Sequence, residues 1–408
     1  VRSPSDQLSA PLVLLFAFGT AVSVATLYLN QPLLHLLGRD LQANERTIGL
    51  LVTFTQLGYA AGIFSLVPLG DTLNKKKLIL GKLAVLLVAL LAAGMAQNVF
   101  QLVLASLAIG VFSTAAQDFL PLAAELAEPQ RRGQVVGTVM GGLLLGILVS
   151  RTFSGVIADH LGWRAVFLIS AGIIGFLAVL VLLRVPSRPK TMAATYPELI
   201  RSLGTLLRRY PVLRLAIATQ GFMGVAFSAF WTVLAFHLSR PPFQFSTASI
   251  GYFGLAGAAG ALAAPLAGKR ADRKGPAANI PTAIAITAAA FLLMGALQRS
   301  LPALIVGTVL FDLGVQMSGV SHQAIVYALE PEARSRINAL YVSGIFLFFA
   351  LGSLAGTTLF NHFGWTGMVG LCLGSCVVAY LLHRRLLQRR RESGAPNRSS
   401  RVDAPPLR

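Results

Sequence analysis

Residues 128–163 read EPQRRGQVVGTVMGGLLLGILVSRTFSGVIADHLGW, and residues 330–365 read EPEARSRINALYVSGIFLFFALGSLAGTTLFNHFGW. Laid over one another, Glu128-Pro129, Arg132, Gly142, His160 and Gly162-Trp163 fall on Glu330-Pro331, Arg334, Gly344, His362 and Gly364-Trp365 at one constant offset. Between the shared ends each copy holds an apolar run of roughly 20 residues, the length an α-helix needs to cross ~30 Å of hydrocarbon. A charged lead, an apolar span and a Gly-Trp turn, occurring twice at one spacing, mark an internally duplicated membrane protein.

The rest of the chain agrees. Of 408 residues 55% are apolar and only 12% charged, with a mean hydropathy of +0.70, which excludes an ordinary water-soluble enzyme. Apolar windows lie at about 11–30, 47–69, 77–96, 99–122, 134–157 and 163–183, and again at about 212–238, 247–268, 278–297, 301–327, 336–360 and 364–383. Lipid leaves backbone groups no outside partner, so these windows are helices; a barrel would show ~10-residue alternation instead. The expected fold is an all-α membrane protein of twelve transmembrane helices in two six-helix bundles. The first bundle spans 11–183 and the second 212–384, joined by a linker at 184–211 and flanked by an N-terminal segment at 1–10 and a basic tail at 385–408. The first apolar run has no cleavage-site pattern and is expected to be retained. In the linker, Leu199, Leu203, Leu206 and Leu207 recur at helical spacing opposite Arg201, Arg208 and Arg209. That pattern describes an amphipathic helix on the inner leaflet. The tail after Arg391 is too poor in apolar residues to order itself.

The net charge of +19 would suggest nucleic acid in a soluble protein, but its distribution says otherwise. With the N-terminus inside, the outer loops hold only Arg39, Arg46, Arg164, Arg240 and Arg299. Clusters such as Lys75-Lys76-Lys77, Arg131-Arg132 and the tail lie inside. This is the positive-inside bias, and it places both termini in the cytoplasm and leaves no nucleic-acid partner. Cys372 and Cys376 share one apolar run and read as packing residues.

The loops after spans two and eight also correspond: Leu69-Gly70-Asp71 with Lys75 and Lys76, against Gly268, Ala271-Asp272-Arg273 and Gly275. These loops, with the repeat, resemble the major facilitator superfamily, and within it the drug and sugar (arabinose-efflux-type) efflux branch. Its loop signature G-x-x-x-D-R-x-G-R-K is matched by Gly268, Asp272, Arg273 and Gly275, and in the first copy by Asp71, Lys75 and Lys76. Val67 and Asn74 stand there where Gly is usual, and Asn tolerates a left-handed turn. The resemblance implies two bundles that rock about a midplane substrate site, with Gly70, Asp71 and their counterparts as a switch that locks the inner helix ends. Members that exchange substrate for protons commonly carry an Arg in span four, where Ser106 stands. The Gly-Pro pattern of their span five is replaced by Gly146, Ser150, Arg151, Ser154 and Gly155, and these departures set the usual antiport relay in question.

Ionisable groups inside a membrane are functional candidates because their burial costs at least ~2.5–3.5 kcal/mol. Asp118, Arg151 and Asp312 qualify. Asp312 lies ~3 Å from the middle of span ten with Gln316 one turn away; it reads as a coupling or substrate carboxylate, or as a structural partner of an Arg or hydroxyl. Arg151 lies ~8 Å outward of the middle of span five. Binding an anionic substrate, pairing with a carboxylate as an outer gate, and snorkelling are its three options. Asn30, Gln31, Gln56, Tyr59, Gln117, Gln220 and Trp231 add polar groups on spans that surround the central cavity of the resembled fold. His322 and Gln323 read as packing or as a proton shuttle. Glycines step along spans five and eight (Gly137, Gly141, Gly142, Gly146; Gly251, Gly254, Gly257, Gly260) and permit close helix approach. No nucleotide, metal or hydrolase motif is present, so neither an enzyme nor a cofactor is expected. The expected function is secondary transport of a small organic solute across the bacterial inner membrane by a monomer, as proton-linked efflux. The alternatives are an importer or facilitator of an anionic metabolite, or a non-transporting membrane sensor or assembly protein.

Overall fold

The structure, a computed structural model, describes residues 9–187, 196–262 and 275–392. Among them, nine helical runs are long and apolar enough to cross a membrane. They are α2 (Glu45–Leu66), α3 (Lys75–Gly94), α4 (Val99–Leu126), α5 (Arg132–Leu161), α6 (Trp163–Arg184), α7 (Pro211–Leu238), α9 (Pro276–Ala296), α10 (Leu301–Tyr327) and a final run opening at Arg334. The final run holds two helices, since Gly364 (φ 63°, ψ −154°) interrupts it to give α11 (334–363) and α12 (365–392). The apolar helices α1 (Ala10–Ala25) and α8 (Thr247–Leu262) complete twelve spans in two six-helix bundles.

Local chemistry sets the helix ends. Asn44, Asn98 and Ser300 accept hydrogen bonds from the backbone N–H groups of Thr47, Gln101 and Ala303, satisfying donors that each helix start would otherwise orphan. Gly162 (φ 81°) and Gly364 (φ 63°) occupy matching places in the repeat, each turning the chain sharply before a Trp. A Cβ would strain that left-handed backbone. The two indoles that follow are buried and anchored: Trp163 Nε1 donates to Asp40 Oδ2 at 2.7 Å and Trp365 Nε1 to the Met294 carbonyl at 3.0 Å. Outside the spans, that indole bond and the Arg164 guanidinium hold the Asp40 carboxyl below its ordinary range.

Two expectations are corrected. Asn74 does not form a left-handed turn; its backbone is extended (φ −65°, ψ 114°) and its side chain caps α3 by accepting from Lys77 N–H at 3.2 Å. Its counterpart Gly275 does take positive φ, at 80°, so the two copies differ in backbone at this position. The linker helix Tyr196–Arg209 exists, but its apolar stripe is not laid on lipid. Leu203 and Leu206 are buried in a cluster with Leu213, Val326, Ile337, Leu340 and Leu386, so the second bundle covers the stripe.

Among the described residues, glycines bring the halves into close contact. Along α5 and α8, an added Cβ at Gly155 would stand 2.5 Å from the Thr247 carbonyl, and one at Gly251 would stand 2.7 Å from the Arg151 carbonyl. Between α2 and α11, Ser353 Oγ donates to the Gly49 carbonyl at 3.3 Å, and the Tyr59 and Phe346 rings sit 4.5 Å apart. Glu45 and Arg240 pair at 2.5 Å across the same end. These contacts run from the sparsely charged end of the bundle, away from the Lys75–Lys77 cluster, to mid-depth. Within the first half, Gly58 and Gly110 seat α2 against α4, with added Cβ atoms 2.2 Å from the Leu107 carbonyl and 2.0 Å from the Thr55 carbonyl.

Such contacts with backbone cannot relax by moving a side chain. Gly110→Ala is expected to destabilise the protein by about 1–3 kcal/mol, as overpacking does. Gly137→Ala, where nothing lies within 4 Å, is expected to be neutral or to stabilise by up to about 1 kcal/mol through helix propensity. Thermal unfolding of the purified variants in one detergent distinguishes the two outcomes.

Candidate functional site

Four of the residues singled out in the sequence, Gln31, Arg151, Trp231 and Asp312, meet at the join between the halves. Arg151 on α5 is 3% exposed, which removes the snorkelling option. Its Nε donates to Gln31 Oε1 at 2.8 Å and its Nη1 to the Ile147 carbonyl at 3.2 Å. The guanidinium carbon lies 4.7 Å from the centroid of Tyr28, in its own half, and 4.1 Å from that of Trp231 on α7, in the other. A desolvated cation between two rings in this way gains about 2 kcal/mol or more from each good contact. Asp312 on α10, 4% exposed, acts electrostatically on Arg151 without forming a direct ion pair. Trp231 Nε1 lies near its carboxylate, short of full hydrogen-bond geometry.

The glycine ladder of α8 explains how these groups fit. A Cβ at Gly254 would stand 3.0 Å from Arg151 Cβ, one at Gly257 2.5 Å from Asp312 Oδ2 and 2.7 Å from Trp231 Cζ2, and one at Gly260 2.9 Å from Asp312 Cβ. On this side the stripe is a bed for these three side chains. On α5, Gly142 and Gly146 instead lie against the Ala17 and Ala21 carbonyls of α1, which is packing within one half.

The uncharged candidates form separate links rather than one ring. Gln56 and Ser228 exchange hydrogen bonds across the halves at 2.9 and 3.1 Å. Gln117 Nε2 donates to Tyr59 Oη at 2.9 Å, and Asn30 Nδ2 to Thr55 Oγ1 at 3.2 Å. Ser318 Oγ donates to Gln220 Oε1 at 2.6 Å and stands 3.3 Å from Nδ1 of the buried His322. Gln316 is half-buried. Gln323 turns to Tyr327 at 2.8 Å, a link in a surface-ward chain to Asn338 that does not include His322. Cys372 and Cys376 are buried packing residues.

One charged residue escaped the reading of the sequence. Lys82 on α3, 2% exposed, pairs with Asp118 at 2.6 Å. The apolar average of span three concealed it, although a Lys facing an Asp at similar depth on the next helix was a legible signal. Asp118 Oδ1 lies 3.5 Å from where a Gly70 Cβ would be, so the pair sits directly beneath the first signature loop. Lys75 pairs with Glu125, and Lys76 Nζ donates to the Leu182 carbonyl at 2.8 Å, tying that loop to α4 and α6. The Asp71 side chain and all of Gly268, Asp272 and Arg273 lie outside the described residues; Gly275 opens α9.

The Lys82–Asp118 pair allows a clean test of its structural weight. Removing one partner of a buried pair leaves an uncompensated charge at a cost of about 3–5 kcal/mol, whereas replacing both with apolar groups is often neutral. Asp118→Asn is therefore expected to lower the unfolding temperature sharply, and Lys82→Met with Asp118→Leu to recover most of the loss in the same assay.

Comparison with known proteins agrees with this architecture. The sequence model of the Major Facilitator Superfamily matches residues 16–295 and 259–407. The Escherichia coli "Uncharacterized transporter YgaY" is 37% identical over 380 residues, covering 93% of this chain and 95% of that protein. The Helicobacter pylori "Probable sugar efflux transporter" is 22% identical over 377 residues, covering 90% and 94%. Among solved structures, a bacterial homologue of the human lysosomal transporter Spinster, in an inward-facing and unoccupied conformation, superposes with a TM-score of 0.75 at 15% identity, covering 95% of this chain and 99% of its own.

Proposed function

The chain belongs to the major facilitator superfamily of membrane transporters, and we propose that it exports a small organic solute across the bacterial inner membrane by proton-linked alternating access. The single observation that carries this reading is the buried Arg151–Trp231–Asp312 group. Its cation belongs to one half and its carboxylate and indole to the other, so any rocking of the halves changes the surroundings of both charges. A charge whose partner and solvation alternate is a charge whose proton or ligand affinity alternates, which is the requirement for coupling. The positive-inside bias puts the Lys75–Lys77 end in the cytoplasm, so the contacts of Glu45, Gly49 and Gly155 close the periplasmic side. Export is supported by the sugar-efflux relative. Asp312 is assigned the coupling role; Asn30, Gln31, Gln56, Tyr59, Gln117, Asp118, Gln220 and Gln316 line or brace the pathway; and the loops of Gly70, Asp71, Lys75 and Lys76 and of Gly268, Asp272, Arg273 and Gly275 act as the conformational switch.

Substituting Asp312→Asn keeps the shape of the side chain and removes its titration. In proteoliposomes loaded with a substrate found by comparing metabolites of deletion and overexpressing cells, this variant is expected to lose pH-gradient-driven net transport and to keep substrate exchange. Retention of gradient-driven accumulation moves coupling to Asp118.

Alternating access also makes a geometric prediction. Glu45 and Arg240 pair across the halves on the closed side, so Glu45→Cys with Arg240→Cys places two thiols opposite one another within reach of a reducible bifunctional thiol reagent. Cross-linking is expected to reduce turnover at least tenfold and reduction to restore it. Full turnover of the cross-linked protein would show that this contact never opens.

A further inference from the structure

Around Arg151 the hydrogen-bonding account does not close. A cavity of about 10 Å³ is lined by Gln31, Pro32, Arg151, Trp231, Leu234, Ala235 and Ile250. The three polar members are each at least nine-tenths buried, with 2% of Gln31, 3% of Arg151 and 3% of Trp231 exposed. Each also carries an N–H group with no hydrogen-bond partner: Gln31 Nε2, Arg151 Nη2 and Trp231 Nε1. The amide orientation of Gln31 is not arbitrary. Arginine has donors only, so the Gln31 oxygen must face Arg151 Nε and its NH₂ must point elsewhere.

Buried donors without partners are rare, because each forfeits roughly 1–3 kcal/mol relative to a satisfied state. Gln31 and Arg151, which carry two of them, wall one small cavity, and the third, Trp231 Nε1, lies beside the Asp312 carboxylate without full hydrogen-bond geometry. The volume of this recess matches the ~10–15 Å³ that a single water-sized atom requires. The other side chains of the wall are apolar, the nearby acceptor is the Asp312 carboxylate beside Trp231 Nε1, and the guanidinium supplies a full positive charge in a buried site.

We infer that this recess receives one oxygen of a carboxylate, and that the solute carried by this protein is an organic acid whose anionic end is held by Arg151, Gln31 and Trp231. The inference rests on the transport reading above and narrows its substrate class. Arg151 supplies the charge, while Gln31 and Trp231 position neutral donors beside it. The titratable groups whose charges act on Arg151 are Tyr28 and Asp312. An incoming carboxylate and an ionised Asp312 compete for the same guanidinium, so the charge on Asp312 sets how firmly the site holds the anion.

The test uses the purified full chain and ligand-induced shifts in its unfolding temperature, which report binding to the native state. Acetate, hexanoate, benzoate and succinate are titrated at constant ionic strength, each against its neutral amide. At least one carboxylate is expected to raise the unfolding temperature saturably while its amide does not. Arg151→Gln is expected to weaken that response at least tenfold, and Arg151→Lys by less. Gln31→Glu retains the shape and the bond to Arg151 Nε but replaces the free donor with a charge that repels anions; it is expected to remain folded and to lose the response, which keeps the test intact should Arg151→Gln fail to fold. No response to any carboxylate, an equal response to the amides, or an unchanged response in Gln31→Glu overturns the inference. If proteoliposomes then carry a neutral or cationic solute, the transport reading stands and the organic-acid assignment alone falls.

Discussion

A guanidinium held out of water between two halves of a membrane protein is the constraint around which this structure is arranged. Arg151 could not be 3% exposed without compensation, and the compensation is drawn from both sides. Gln31 and Tyr28 come from its own bundle, while Trp231 and the field of Asp312 come from the other. The close approach of α8 that completes the enclosure needs a helix with no side chains on that face, which Gly251, Gly254 and Gly257 provide. The joint between halves is thus held by interactions that are strong while dry and weaken when water enters. That property suits the opening that the proposed mechanism asks of this contact.

The two buried charge pairs differ in what they connect. Lys82 and Asp118 belong to neighbouring helices of one half and sit in direct contact at 2.6 Å, so a rigid rotation of the bundles leaves them together. Arg151 and Asp312 belong to different halves and are not in direct contact, so the same rotation alters them. The first pair ties two helices of one bundle together beneath the loop of Gly70; the second makes the join between bundles sensitive to charge. The linker helix contributes to the same division of labour, because its leucines are buried against the second bundle and move with it.

Much of the fold was legible in the sequence, for a simple physical reason. Lipid demands that each crossing segment be long, apolar and internally hydrogen-bonded, so twelve windows announce themselves one at a time. The duplicated Gly-Trp turn at 162–163 and 364–365 was equally visible, and both glycines take the positive φ that only glycine adopts freely. Where reading by average failed, it failed for lack of context: Lys82 vanished into an apolar window, Asn74 proved to be a cap, and the linker leucines found protein where lipid was expected.

The sequence alone therefore determined the number of crossings, the duplication, the charge bias between the two ends and the identity of the rare polar groups, because each of these is a property of one segment in one solvent. Only the tertiary structure decided which polar groups meet. Helix rotation about its own axis is not constrained by apolar content when every face of a span is apolar, so nothing in the spacing of Gln31, Arg151, Trp231 and Asp312 told that they share one site. Packing settled it, by seating the glycine face of α8 where those side chains converge.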